Sequence, residues 1–184
     1  MTRTILLAAA LLAALPAAPA AAQLLSAEPF AAYGFYGSLP ETRARLEGGW
    51  GVGARATLRF APRLAVFGTA QRSRPELLGQ LPFGTVGSGD KLTVDHWSAG
   101  LEYSRYGSQA GPGALPLALS LGAGQVRYED GPTDLAGILG ASAGVRLGPS
   151  FSLRYGVTDY VSRYDGGDEW VNQVFARVGA EFSI

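Results

Sequence analysis

The chain alternates. Its last fifteen residues, WVNQVFARVGAEFSI, put Trp170, Val174, Ala176, Val178, Ala180 and Phe182 on one face. Gln173, Phe175, Arg177, Gly179 and Glu181 fall on the other. A period of two over that distance is a strand, and a longer one than the usual five or six residues. From Trp50 to Phe60, WGVGARATLRF repeats the device: Trp, Val, Ala, Ala, Leu and Phe alternate with Gly51, Gly53, Arg55, Thr57 and Arg59. The same reading sets Leu64, Val66, Gly68 and Ala70 on one face. It sets Trp97, Ala99, Leu101 and Tyr103 against Ser98, Gly100 and Glu102, and Leu117, Leu119, Leu121 and Ala123 against Ser120, Gly122 and Gly124. Leu135, Leu139, Ala141, Ala143, Val145 and Leu147 oppose Gly140, Ser142, Gly144 and Arg146, and Phe151, Leu153, Tyr155 and Val157 oppose Ser152, Arg154 and Gly156.

Eight strands are expected, at 29–37, 48–60, 64–73, 91–103, 116–128, 135–147, 151–162 and 170–184, with no helical period between them. Within 29–37 the residues are too uniformly small and apolar for a face to be assigned. The connections alternate in character. Those at 38–47, 74–90, 129–134 and 163–169 are polar, whereas APR (61–63) and GPS (148–150) are tight turns, with Pro62 presetting φ, and 104–115 is rich in Gly and Pro.

The polarity of the two faces decides which is inside. A soluble barrel buries its large apolar side chains, yet here the opposite face holds Gly, Ser, Thr and at least five arginines, which no soluble core accommodates unpaired. Turned outward, the apolar face meets lipid. That is the pattern of a transmembrane β-barrel. Trp50 to Phe60 covers ten residue steps, which at about 3.3 Å each and a tilt of about 40° rise roughly 25 Å, the height of such a barrel's apolar band. Aromatic residues are expected at its two interfaces: Trp50, Phe60, Trp97, Tyr103, Phe151, Trp170 and Phe182. In lipid every backbone group needs a partner, so the last strand must pair with the first.

Composition adds the compartment. Arg3, an apolar run from Ile5 to Leu15, Pro16 and the small residues Ala20 to Ala22 have the layout of a secretory signal peptide over 1–22, leaving one barrel domain over 23–184. There is no cysteine, and fifteen basic residues balance fifteen acidic ones, which gives nucleic acid no basic field to bind.

In the order of these strands, and in WSAGLEY (97–103), GASAGVRLGPSFSLRYGVTDYV (140–161) and the closing VFARVGAEFSI, the chain resembles the small eight-stranded outer-membrane barrels grouped with the OmpA membrane domain. The resemblance implies an all-β, antiparallel, up-and-down barrel in the outer membrane of a Gram-negative-type bacterium. It implies contact with outer-membrane lipid, and the chain is expected to be a monomer without cofactor, metal or catalytic residues. It also implies that the last strand carries the signal read by the barrel-assembly machinery. In that family the strand ends on an aromatic; here Ile184 stands last and Phe182 is the nearest aromatic on the lipid face. No peptidoglycan-binding segment follows the barrel, so a cell-wall anchor is not implied.

Two sets of residues suggest chemistry. His96 and Ser98 in DHWS are faintly similar to the His-x-Ser of outer-membrane lipid A deacylases, but Ala99 replaces the asparagine of that pattern and both side chains face the lumen. The acidic groups Asp165, Asp168, Glu169 and Glu129, Asp130, Asp134 suit solvated turns or a cation. The expectation is therefore a non-enzymatic barrel, with a lipid-modifying enzyme or a narrow channel as the alternatives. Inside it, Arg55, Arg59, Glu102, Arg146, Arg154, Arg177 and Glu181 share the inward register towards the periplasmic end. They are expected to form a charged plug below a shallow, wetter vestibule. With arginines in excess, a small anion or water is expected to complete the network.

Overall fold

The computed structural model describes residues 24–39, 44–79, 89–105 and 116–183. The expected signal peptide at 1–22, most of the connection 104–115, the centre of the 74–90 connection and the terminal Ile184 lie outside these residues.

Eight antiparallel strands follow one another around a closed sheet: β1 (Leu24–Phe35), β2 (Arg45–Ala61), β3 (Leu64–Leu78), β4 (Val94–Ser104), β5 (Leu117–Tyr128), β6 (Thr133–Arg146), β7 (Phe151–Arg163) and β8 (Trp170–Ser183). β8 closes on β1, with Ala31 opposite Val178 and Tyr33 opposite Ala176. The pairing can be followed once around the sheet on the lipid face. Leu25 lies opposite Leu58, Leu58 opposite Val66, then Leu101, Leu121, Leu139, Asp159, Val174 and finally Phe35. The circuit returns to β1 ten residues from its start, between Leu25 and Phe35. That stagger is what tilts the strands of a closed barrel. The even strand number brings both ends of the described chain to one rim, with the tight turns after β2 and β6. The connections after β1, β3, β5 and β7 lie at the other rim, and the one after β4 shares the rim of the termini.

The expected faces hold from β2 to β8. Trp50, Val52, Trp97, Leu101, Leu119, Leu121, Leu135, Leu139 and Val178 all point outward and are about half exposed or more. Four boundaries need correction. β1 starts at Leu24 rather than 29, so Ser26, Glu28 and Phe30 become inward positions. β3 continues to Leu78 and β2 begins at Arg45, while β4 begins later than expected, at Val94. The extension of β3 has a physical cause. Over QRSRPELL the outward positions Arg72, Arg74 and Glu76 are polar, and the inward positions Ser73, Pro75 and Leu77 are buried. Above the lipid band the sheet stands in water, so the apolar side turns inward as in any soluble sheet. A segment that reads as a polar loop is therefore strand. Leu39, Leu46, Leu77 and Leu92 are buried there and cap the loop-side end of the core.

Candidate functional site in the barrel lumen

The lumen is filled in two layers. The first, towards the rim that bears the termini, is charged. Arg55 Nη2 donates to Glu102 Oε2 at 2.6 Å, and Arg154 Nη2 donates to the same oxygen at 3.1 Å. Arg154 Nη2 also donates to Ser142 Oγ at 2.8 Å. Arg154 Nη1 reaches Glu181 Oε1 at 3.3 Å, and the same carboxylate oxygen accepts from Ser26 Oγ at 2.8 Å. A third carboxylate joins them. Glu28 lies 3.4 Å from Arg177 Nη1 and 3.8 Å from Arg154 Nε. Gly179 makes room for it, since a Cβ there would come within 2.8 Å of Glu28 Oε1. Glu28 and Glu102 are each 2% exposed, a depth at which unpaired charge is very costly.

Five of the seven residues expected in the network are brought together: Arg55, Glu102, Arg154, Arg177 and Glu181. Two are not. Arg146 bends to the turn beside it and donates to the carbonyls of Gly148 and Pro149. Arg59 stands half-buried near the β2–β3 turn and makes no ion pair among the described residues. With Glu28 included, the cluster holds three arginines and three carboxylates, so the expected excess of arginine is absent from it. Glu28 escaped the sequence reading because it precedes the expected start of the first strand. The alternation of Ser26, Glu28 and Phe30 with Leu25, Ala27 and Pro29 was the available signal.

The second layer overturns the expected vestibule. His96, Val126, Tyr128 and Gln173 are fully buried, and Tyr160, Ile138 and Phe175 are 1% exposed. His96 packs in a triangle with the rings of Tyr160 and Phe175, whose centroids both lie 4.8 Å from its own and 5.8 Å from each other. Gln173 Nε2 donates to Tyr128 OH at 2.6 Å, which leaves its Oε1 to accept from His96 Nε2–H at 2.7 Å. Ser98 Oγ and Tyr160 OH are 3.3 Å apart. The small inward residues of β4 and β5 do not mark a cavity, because aromatic side chains from the opposite wall fill the space in front of them. Gly124 is small for a different reason: a Cβ there would collide with the Trp97 carbonyl oxygen of the neighbouring strand. Cation–π contacts join the layers, with the Arg55 guanidinium 3.8 Å from the Phe67 ring centre and Arg177 5.4 Å from that of Phe30.

His96 and Ser98 do not form a nucleophile–base pair. Their side chains bond to Gln173 and Tyr160, and both point into this packed interior.

The aromatics fall at the two ends of the lipid face. Trp50, Trp97 and Trp170 stand near the loop-side ends of their strands; Phe60, Tyr103, Phe151 and Phe182 stand at the other rim. Trp50 meets Tyr33 edge-on at 5.2 Å, Phe151 and Phe182 pack at 5.2 Å, and Arg163 covers Trp170 at 4.6 Å. At the loop end, Glu129 Oε2 accepts from the backbone N–H of Thr93 at 2.9 Å, and the Thr93 hydroxyl together with this N–H holds its carboxyl below the usual range. Asp134 is buried and accepts from the backbone of Asp165. Asp130 and Asp165 adopt φ of 52° and 50°, as turn residues. Among the described residues no three acidic or histidine side chains converge on a possible metal position.

No family model and no curated protein sequence matches the chain. Solved structures do. OprG from Pseudomonas aeruginosa superimposes with a TM-score of 0.56 at 12% identity, covering 89% of this chain and 96% of that one. Ail, the attachment invasion locus protein of Yersinia pestis, gives 0.55 at 13% identity over 89% and 99% of the two chains. The N-terminal β-barrel domain of P. aeruginosa OprF gives 0.54 at 12% over 86% and 97%. The fold is that of a small outer-membrane β-barrel. At these identities the likeness extends to architecture and no further, so this barrel's lumen and rim carry what is particular to it.

Proposed function

We propose that the protein is an integral outer-membrane barrel that passes no solute and performs no catalysis, and that it acts as a structural or surface-interaction protein through its loop end. One observation carries this reading: the lumen is packed along its length, from the ion cluster around Glu102 to the fully buried His96, Gln173 and Tyr128. An eight-stranded barrel is only just wide enough for its own side chains, and here they leave nothing the size of a sugar. The outer-membrane setting is supported by the apolar belt, its aromatic edges and the shared fold. In this reading the termini and tight turns face the periplasm, the connections after β1, β3, β5 and β7 face outward, and the barrel is a lipid-embedded monomer. β8, inserted by the assembly machinery, is the strand that closes it.

Recordings on the purified protein in planar bilayers test the seal. The expected trace is flat, and stable large single-channel steps would overturn the closed-barrel reading. Lipid A from cells with and without the protein should give the same mass spectrum; an acyl chain missing only when the protein is present would restore the enzymatic alternative.

A further inference from the structure

Between the charged and aromatic layers lies a space of about 10 Å³, bordered among others by Arg55, Thr69, Gln71, Ser98, Tyr160 and Arg177. Three polar atoms of these residues make no hydrogen bond among the described residues: Arg55 Nε, Gln71 Nε2 and Thr69 Oγ1. Arg55 is 4% exposed and Gln71 7%. Buried donors rarely stay unpaired, and sites of this kind are where proteins hold ordered water.

We propose that one water molecule is a fixed part of the plug at this position. It accepts from Arg55 Nε–H and from the Gln71 side-chain amide. It donates to Thr69 Oγ1 and to one of the hydroxyls bordering the same space, which completes its four hydrogen bonds. Size limits the occupant: a single water needs roughly 10–15 Å³ by this measure, so one fits and a second does not. An anion is the competing occupant, because two guanidiniums border the space and no carboxylate does. Two facts favour water. Arg55 and Arg177 are already paired, in a cluster whose three carboxylates match its three arginines. A halide is also larger than the space.

The water has a structural consequence. Gln71 lies directly across the β3–β4 ladder from His96, so a water held by Arg55 and Gln71 links the ion cluster to the residues beside the aromatic layer. The two layers are then one connected polar and packed body rather than two stacked plugs.

Two measurements test it. A high-resolution crystal structure of the purified protein, with a parallel crystal soaked in bromide, should show one peak within about 3 Å of Arg55 Nε and Gln71 Nε2 and no anomalous signal there. A bromide signal would make it an anion site, and the lack of any peak would remove the site; either overturns the proposal. By NMR in nanodiscs, the Gln71 side-chain amide should show a cross-peak to a slowly exchanging water. The peak should persist in Thr69→Ser and be lost in Thr69→Val, which keeps the volume but removes the acceptor. No cross-peak in the folded wild type, or its survival in Thr69→Val, would also overturn it.

Discussion

Glu102 is the residue on which the charged layer turns. Among the described residues it is the one carboxylate paired with Arg55, whereas Arg154 also reaches Glu28 and Glu181. Glu102→Ala therefore strands Arg55, at 4% exposure, without a counter-charge. Two charge-assisted hydrogen bonds to Oε2 disappear, each worth about 1.5–3 kcal/mol. Breaking a buried pair by removing one member costs about 3–5 kcal/mol. The two figures agree, and such a loss is a large part of a stability of about 5–15 kcal/mol. Glu102→Gln keeps an acceptor for one arginine and should lose roughly half as much. The charge argument makes a sharper demand on the double variant. Arg55→Met with Glu102→Ala removes both charges and should be more stable than Glu102→Ala alone. Reversible denaturant titration in lipid vesicles reads this through Trp50, Trp97 and Trp170, whose rings lie on the outer face. If Glu102→Ala stays within about 1 kcal/mol of wild type, or the double variant is weaker than the single, the ion cluster does not hold the barrel as described.

Three further outcomes follow from the register and topology. Gly68→Ala, where the added Cβ meets nothing nearer than 4.0 Å, should stabilise by about 0.5 kcal/mol, whereas Gly124→Ala, aimed at the Trp97 carbonyl, should cost about 1–3 kcal/mol; the reverse order in the same titration would contradict the strand register. Leu119→Arg or Ala141→Arg on the lipid face should each cost about 2–4 kcal/mol, and a harmless result for both would mean that this face does not meet lipid. An epitope inserted between Asp130 and Gly131, in the β5–β6 turn, should bind antibody on intact cells; labelling only after the outer membrane is permeabilised would invert the proposed orientation.

Much of the barrel was legible along the chain. Strand alternation is a local property, because successive side chains point to opposite faces whatever the rest of the molecule does. Trp50 to Phe60 and Trp170 to Phe182 therefore declared both their faces and their length, and the arginines between them declared which face met lipid. Closure followed from the demand of hydrocarbon that no backbone group go unpaired. Three features lay beyond that reach. The inward side of β1 was hidden among small residues, and its Glu28 changes the charge balance of the lumen. The strand character of Arg74 to Leu78 was masked because the polarity of the two faces exchanges where the sheet leaves the lipid. Above all, what fills the lumen depends on which residues face each other across it. Arg55 meets Glu102 forty-seven positions away, and Tyr160 meets Ser98 sixty-two positions away. Those meetings are set by the tilt and stagger of eight strands at once. Small residues on one wall read as open space until the rings of the opposite wall are placed against them, and only the closed barrel places them.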